Sequence, residues 1–160
     1  MVTDRENRVT LSYVFLGIFT LAESVMLGVV CAAYALDSIL IAVAMTSLLT
    51  LGLVAYATST KRDFTGAGPY LFMSLWVLFL YGLMLSFFPT LRHSLQTAYS
   101  LIGVVIFSFY VVFDVQLILG GKHSKYRFGV DEFVFAALSV YLDIVNLFLY
   151  FLDLFGRDRR

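Results

Sequence analysis

Charged residues are scarce in this sequence, and the two signs cancel. Asp, Glu, Lys and Arg make up 14% of the 160 residues, and 11 acidic residues oppose 11 basic ones, so the formal net charge is zero. Nucleic-acid binding normally requires an excess of basic residues on one face or in one segment. No such excess is present, so nucleic acid is not an expected partner.

Cysteine and the common catalytic motifs are also missing or nearly so. The single cysteine, Cys31, cannot form an internal disulfide, and we interpret it as a small buried apolar residue. The sequence contains no P-loop, no GxGxxG fingerprint, no nucleophile elbow and no CxxC or His-rich ligand spacing. We therefore expect no cofactor.

Apolar residues are what this sequence has in abundance. They make up 61% of the chain, against roughly 45–50% in soluble domains, and the mean hydropathy is +0.90. A membrane-spanning helix needs roughly 20 mostly apolar residues. Five segments meet this length, and they cover residues 11–36, 38–60, 69–88, 95–119 and 132–155. The sequence predicts a single all-α domain, 1–160, in which about five helices form a polytopic transmembrane bundle.

Basic residues between the segments predict the orientation in the membrane. If all five segments cross, one side collects Arg5, Arg8, Lys61, Arg62, Lys122, Lys125 and Arg127, and the other Arg92, Arg157, Arg159 and Arg160. The positive-inside rule then places the N-terminus in the cytoplasm. If the last segment instead enters and returns on one side, ten of the 11 basic residues become cytoplasmic. We expect a full crossing because of the segment's length, with the re-entrant alternative open.

Two acidic residues, Asp114 and Asp143, lie deep inside the last two apolar segments. An ionisable residue in a membrane segment is costly and is by default a functional hypothesis. Because consecutive spans run antiparallel, the two acids fall at similar depth and can meet. Two carboxyls in that environment would share one proton over part of the accessible pH range, which makes a proton-sensitive element. Calcium is the natural hard cation for such oxygens, but only as a weak site, because calcium takes about six to eight ligands.

Other polar residues extend this region. Ser139, Asp143, Asn146 and Tyr150 follow helical spacing and form one polar face, which either lines a pathway or joins helices by hydrogen bonds. Glu23, in the first segment, is either a further oxygen in a polar pathway or a protonated carboxyl bonded within the protein. Gly103 would allow close approach between helices.

The longest motifs resemble a known family. Residues 113–123 (FDVQLILGGKH) and 131–149 (DEFVFAALSVYLDIVNLFL) look like the signature of the transmembrane Bax inhibitor motif family, closest to its Lifeguard and Golgi anti-apoptotic branch. Residues 19–23, 60–65 and 75–78 resemble the family's third helix, the loop after its fourth helix, and its fifth helix. The chain thus resembles helices three to seven, a shortened form of the seven-helix Bax inhibitor-1 fold.

The resemblance implies a calcium-leak protein of the Golgi, endoplasmic reticulum or plasma membrane that restrains apoptosis. By position, Asp114 and Asp143 match the family's pH-sensing aspartate pair, and Asp131, with its neighbour Glu132, matches the acidic mouth of the ion path. The partners implied are membrane lipids, calcium ions, and membrane channels or apoptosis-regulating proteins.

Two other classes of function stay open. An intramembrane aspartyl protease also places two aspartates on adjacent helices, but residues 141–143 lack the Gly-x-Gly-Asp element, so we expect no enzyme activity. A non-conducting membrane adaptor, or a truncated family member, would instead modulate channels or apoptosis proteins by helix packing. Ion flux in purified vesicles separates this class from the leak.

Overall fold

The computed structural model of the protein describes residues 2–120 and 132–156. It contains five α-helices, which confirms the prediction of an all-α bundle. All five are long and apolar enough to cross a membrane. The helices are α1 (Val2–Ala32), α2 (Leu36–Ser59), α3 (Gly68–Phe87), α4 (Pro89–Leu119) and α5 (Phe133–Phe155), with a short 3-10 turn (Thr65–Ala67) before α3.

Proline and glycine set three of the helix ends. Pro69 is the second residue of α3, and Pro89 is the first residue of α4, where a missing backbone N–H costs nothing. At the end of α4, Gly120 takes a positive φ of 49° and donates its N–H to the carbonyl of Gln116. This backbone angle favours glycine, so the sequence itself stops the helix there.

The boundary between the first two helices differs from the expected one. The apolar segment was predicted to continue to Leu36, but α1 ends at Ala32 and Leu36 already begins α2. The intervening residues are as apolar as their neighbours, so hydropathy carries no signal for this turn. The fourth helix likewise starts at Pro89, earlier than the predicted residue 95.

Helix α4 is the centre of the bundle and packs against α2, α3 and α5. Its most extensive contact is with α5, and fully buried Val111 and Leu147 belong to the core that the two helices share. Gly103 contacts Tyr150, and Ser100 contacts Asp153. The residue number thus falls along α4 as it rises along α5, which shows that the two helices run antiparallel. Helix α1 is peripheral and packs mainly against α5.

Helix α5 runs for 23 residues without a break at Asp143. At a rise of 1.5 Å per residue this is about 35 Å, more than the roughly 30 Å hydrocarbon core of a bilayer. A re-entrant segment would need a non-helical turn near its midpoint. The continuous helix therefore favours the full crossing over the re-entrant alternative.

Candidate functional site

Asp114 of α4 and Asp143 of α5 lie side by side in the interior of the bundle. Their side chains are 6% and 5% exposed, respectively, and their carboxyl groups are within hydrogen-bonding reach of each other. The phenol of Tyr110, one turn before Asp114, is close enough to interact electrostatically with both. The antiparallel packing of α4 on α5 thus brings together the two acids that the sequence singled out.

One oxygen of this pair has no donor. Asp143 Oδ2 is buried, and no described residue donates a hydrogen bond to it. Two ionised carboxylates have no proton to share, so a hydrogen bond between them requires one of them to be protonated. The geometry is therefore suited to a pair that holds one proton between two carboxyls.

A buried glutamine anchors the loop between α2 and α3 next to this pair. Gln116, two residues after Asp114, is 7% exposed. Its Oε1 accepts the backbone N–H of Phe64 at 2.8 Å, and its Nε2 donates to the carbonyl of Arg62 at 2.9 Å. These hydrogen bonds connect this part of α4 directly to the loop between α2 and α3. Sequence reasoning missed Gln116, although a polar residue in an apolar run beside Asp114 was a visible signal.

The residues predicted to support the pair are less closely associated with it. Ser139 donates to the carbonyl of Phe135, and Asn146 donates to that of Leu142, so both hydrogen bonds stay inside α5. Glu23 is half-buried on α1, and no described contact connects it with the pair.

Of the two acids predicted at the mouth of the pathway, the structure describes one. Glu132 is exposed at the N-terminal cap of α5, and Asp131 lies outside the described residues. The roles of these supporting and mouth residues stay predictions.

A second polar group lies further along the same helices and was not predicted. Asp153 of α5 accepts hydrogen bonds from Gln96 and Ser100 of α4. The hydroxyls of Tyr99 and Tyr150 lie 3.3 Å apart nearby. The signal was present in the sequence, since Asp153 continues the three- and four-residue spacing of the polar face on α5.

Neither polar group forms a complete metal site in the described part of the chain. No cluster of three or more His, Cys, Asp or Glu side chains occurs there. The aspartate pair would supply two side chains toward the roughly six to eight oxygens that calcium takes, so water would have to complete the shell.

Comparison with known proteins gives consistent matches along the chain. The profile of the family described as "Inhibitor of apoptosis-promoting Bax1" matches residues 1–160. The chain is 37% identical to Protein LIFEGUARD 4 of Arabidopsis thaliana, over 90% of this chain and 57% of that protein. It is 36% identical to Protein lifeguard 4 of Mus musculus, over 84% of this chain and 53% of that protein. It is 40% identical to Protein LIFEGUARD 3 of Arabidopsis thaliana, over 88% of this chain and 55% of that protein. The chain spans about half the length of these curated relatives.

Proposed function

The chain belongs to the Bax inhibitor family as a multi-pass membrane protein, and on that premise we propose that it lets calcium leak across its membrane under the control of pH. The observation that carries the proposal is the buried contact between Asp114 and Asp143 on the two central helices. Through this leak the protein would adjust the calcium content of a membrane compartment and restrain apoptosis.

The proton shared by the pair is the proposed control element. While the pair holds its proton, it carries one negative charge and links α4 to α5 through a hydrogen bond. Loss of the proton leaves two like charges, which must separate, hydrate or take up a cation. The membrane segments Ser94–Leu119 and Val134–Phe155 contain no Lys, Arg or His to neutralise them. Tyr110, a further titratable group close to the pair, carries no positive charge in either protonation state.

The cation path would pass the same two residues. Calcium prefers oxygen ligands, and weak binding by two carboxylates and water allows an ion to leave again. Displacement of α4 would also move Gln116 and the loop that it holds, on the side predicted to face the cytoplasm. In this way the protonation of a buried pair would be coupled to the opening of the cytoplasmic end.

Calcium flux into liposomes that contain the purified chain tests this proposal. We expect flux above that of empty liposomes and a change in flux between pH 6 and pH 8. Asp114→Asn and Asp143→Asn should each remove the pH dependence, because an amide cannot take part in the exchange of the shared proton. Asp37→Asn, at an exposed acid at the start of α2, is the matched control and should keep it. An unchanged pH response in both pair variants would exclude the shared proton as the control element.

A non-conducting adaptor is the second candidate. Its support is the apolar surface of α1, which is exposed along most of its membrane segment and can pack against another membrane protein. Folded protein that gives no flux at any pH, yet still protects cells from Bax-induced death, would support this role over a leak.

A further inference from the structure

A cavity of about 460 Å³ opens between the ends of α3, α4 and α5, and neither aspartate of the pair lines it. Asp143 and Asp153 are ten residues apart on α5, a separation of about 15 Å along the helix. In the predicted orientation the cavity opens on the side opposite the cytoplasm. Its polar wall consists of Ser86, Gln96, Tyr99, Asn146, Tyr150 and Asp153.

The carboxylate in this wall has no cationic neighbour in the described part of the chain. Its two hydrogen-bond donors, Gln96 and Ser100, are both uncharged. These bonds hold the carboxylate in place without neutralising its negative charge. A fixed charge of this kind, beside low-dielectric walls, attracts a mobile ion of the opposite sign.

The remaining polar groups of the wall suit a cation and its water. The amide of Asn146 uses its nitrogen to donate to its own helix, and the hydroxyl of Ser86 donates to the carbonyl of Gly82 at 3.0 Å. The oxygens of these two side chains retain accepting capacity. The cavity volume of about 460 Å³ is many times the ~30 Å³ share of one liquid water. A single carboxylate cannot replace the hydration shell of a cation, whereas this volume can hold the ion with that shell.

We propose that this cavity binds a hydrated inorganic cation, calcium among them, through the carboxylate of Asp153. The site is distinct from the aspartate pair, and the binding does not depend on conduction. In a conducting protein it would concentrate cations at the non-cytoplasmic end of the path.

Terbium luminescence in detergent-solubilised protein tests the binding. Terbium(III) is a hard trivalent stand-in for calcium, and Tyr99 and Tyr150 in the cavity wall can sensitise it when they absorb light. We expect a saturable luminescence signal that calcium displaces. Asp153→Asn should weaken the apparent affinity at least about tenfold, which corresponds to ~1.4 kcal/mol.

A second variant separates loss of the site from loss of the fold. Ser86 is exposed at the cavity and bonds only to its own helix in the described contacts, so Ser86→Phe should fill the space without unfolding the protein. It should reduce terbium binding in protein whose thermal unfolding is unchanged. Asp37→Asn, at an exposed acid outside both polar groups, should bind terbium as the unmodified chain does.

Three results would overturn the proposal. The first is unchanged affinity in both Asp153→Asn and Ser86→Phe, and the second is an equal loss of affinity in the control Asp37→Asn. The third is displacement of terbium by choline but not by calcium, which would assign the cavity to an organic ammonium ion. Terbium binding is measured without any ion flux, so the two proposals are tested independently. A protein that does not bind terbium can still conduct calcium, and a protein that gives no flux can still bind a cation in the cavity.

Discussion

Two Gly→Ala substitutions in this bundle should change its stability in opposite directions. Gly103 of α4 lies directly against the ring of Tyr150, and a Cβ built at Gly103 would overlap three atoms of that ring. Gly52 of α2 has open space, with no atom within 4 Å of the same hypothetical Cβ. The pair therefore provides one chemical change in two environments.

The ring of Tyr150 has little freedom to move away from a new methyl group. Its centroid is 5.6 Å from that of Tyr99 and 5.7 Å from that of Phe107. Overpacking of a core position costs about 1–3 kcal/mol, while alanine in place of glycine in an open helical position gains about 0.5–1 kcal/mol. We expect the free energies of unfolding of the Gly103→Ala and Gly52→Ala variants to differ by about 1.5–4 kcal/mol.

Reversible unfolding in mixed micelles with increasing sodium dodecyl sulfate measures this difference. The double variant Gly103→Ala/Tyr150→Leu tests the cause, because removal of the ring should cancel most of the penalty at Gly103. If Gly103→Ala is as stable as Gly52→Ala, the close packing of α4 on α5 at Tyr150 is wrong.

Three further predictions concern other parts of the bundle. Gln116→Leu should lower the free energy of unfolding by about 1–3 kcal/mol, because it removes the hydrogen bonds to the backbone of Phe64 and Arg62. Hydrogen exchange at the amide of Phe64 should accelerate, and unchanged protection of that amide would contradict the anchoring role. Leu147→Ala, at a fully buried position, should cost about 2–5 kcal/mol in the same unfolding assay, and a cost below that of an exposed control such as Leu48→Ala would refute its place in the core. Glu23→Gln should leave the pH dependence of calcium flux unchanged, since Glu23 lies on peripheral α1, and a lost pH response would show that this acid acts on the pair.

Much of this architecture could be predicted from single segments of the sequence. The number of helices follows from five apolar runs of spanning length, and the ends at Pro89 and Gly120 follow from a missing donor and from a positive φ. Burial of Asp114 and Asp143 on neighbouring helices could also be anticipated, because consecutive antiparallel spans place them at similar depth. Each of these features depends on residues close together in the chain.

Other features depend on how each helix is rotated toward its neighbours, and only the tertiary structure decided them. The turn between Ala32 and Leu36 left no distinct local pattern. Gln116 and Asp153 were visible as polar residues, but the sequence did not show which loop or cavity each would meet. In a membrane protein, apolar side chains suit both the core and the lipid, so hydropathy does not reveal which face of a helix packs inward. The sequence therefore determined which helices form and where the acids lie along them, whereas packing determined which side chains meet.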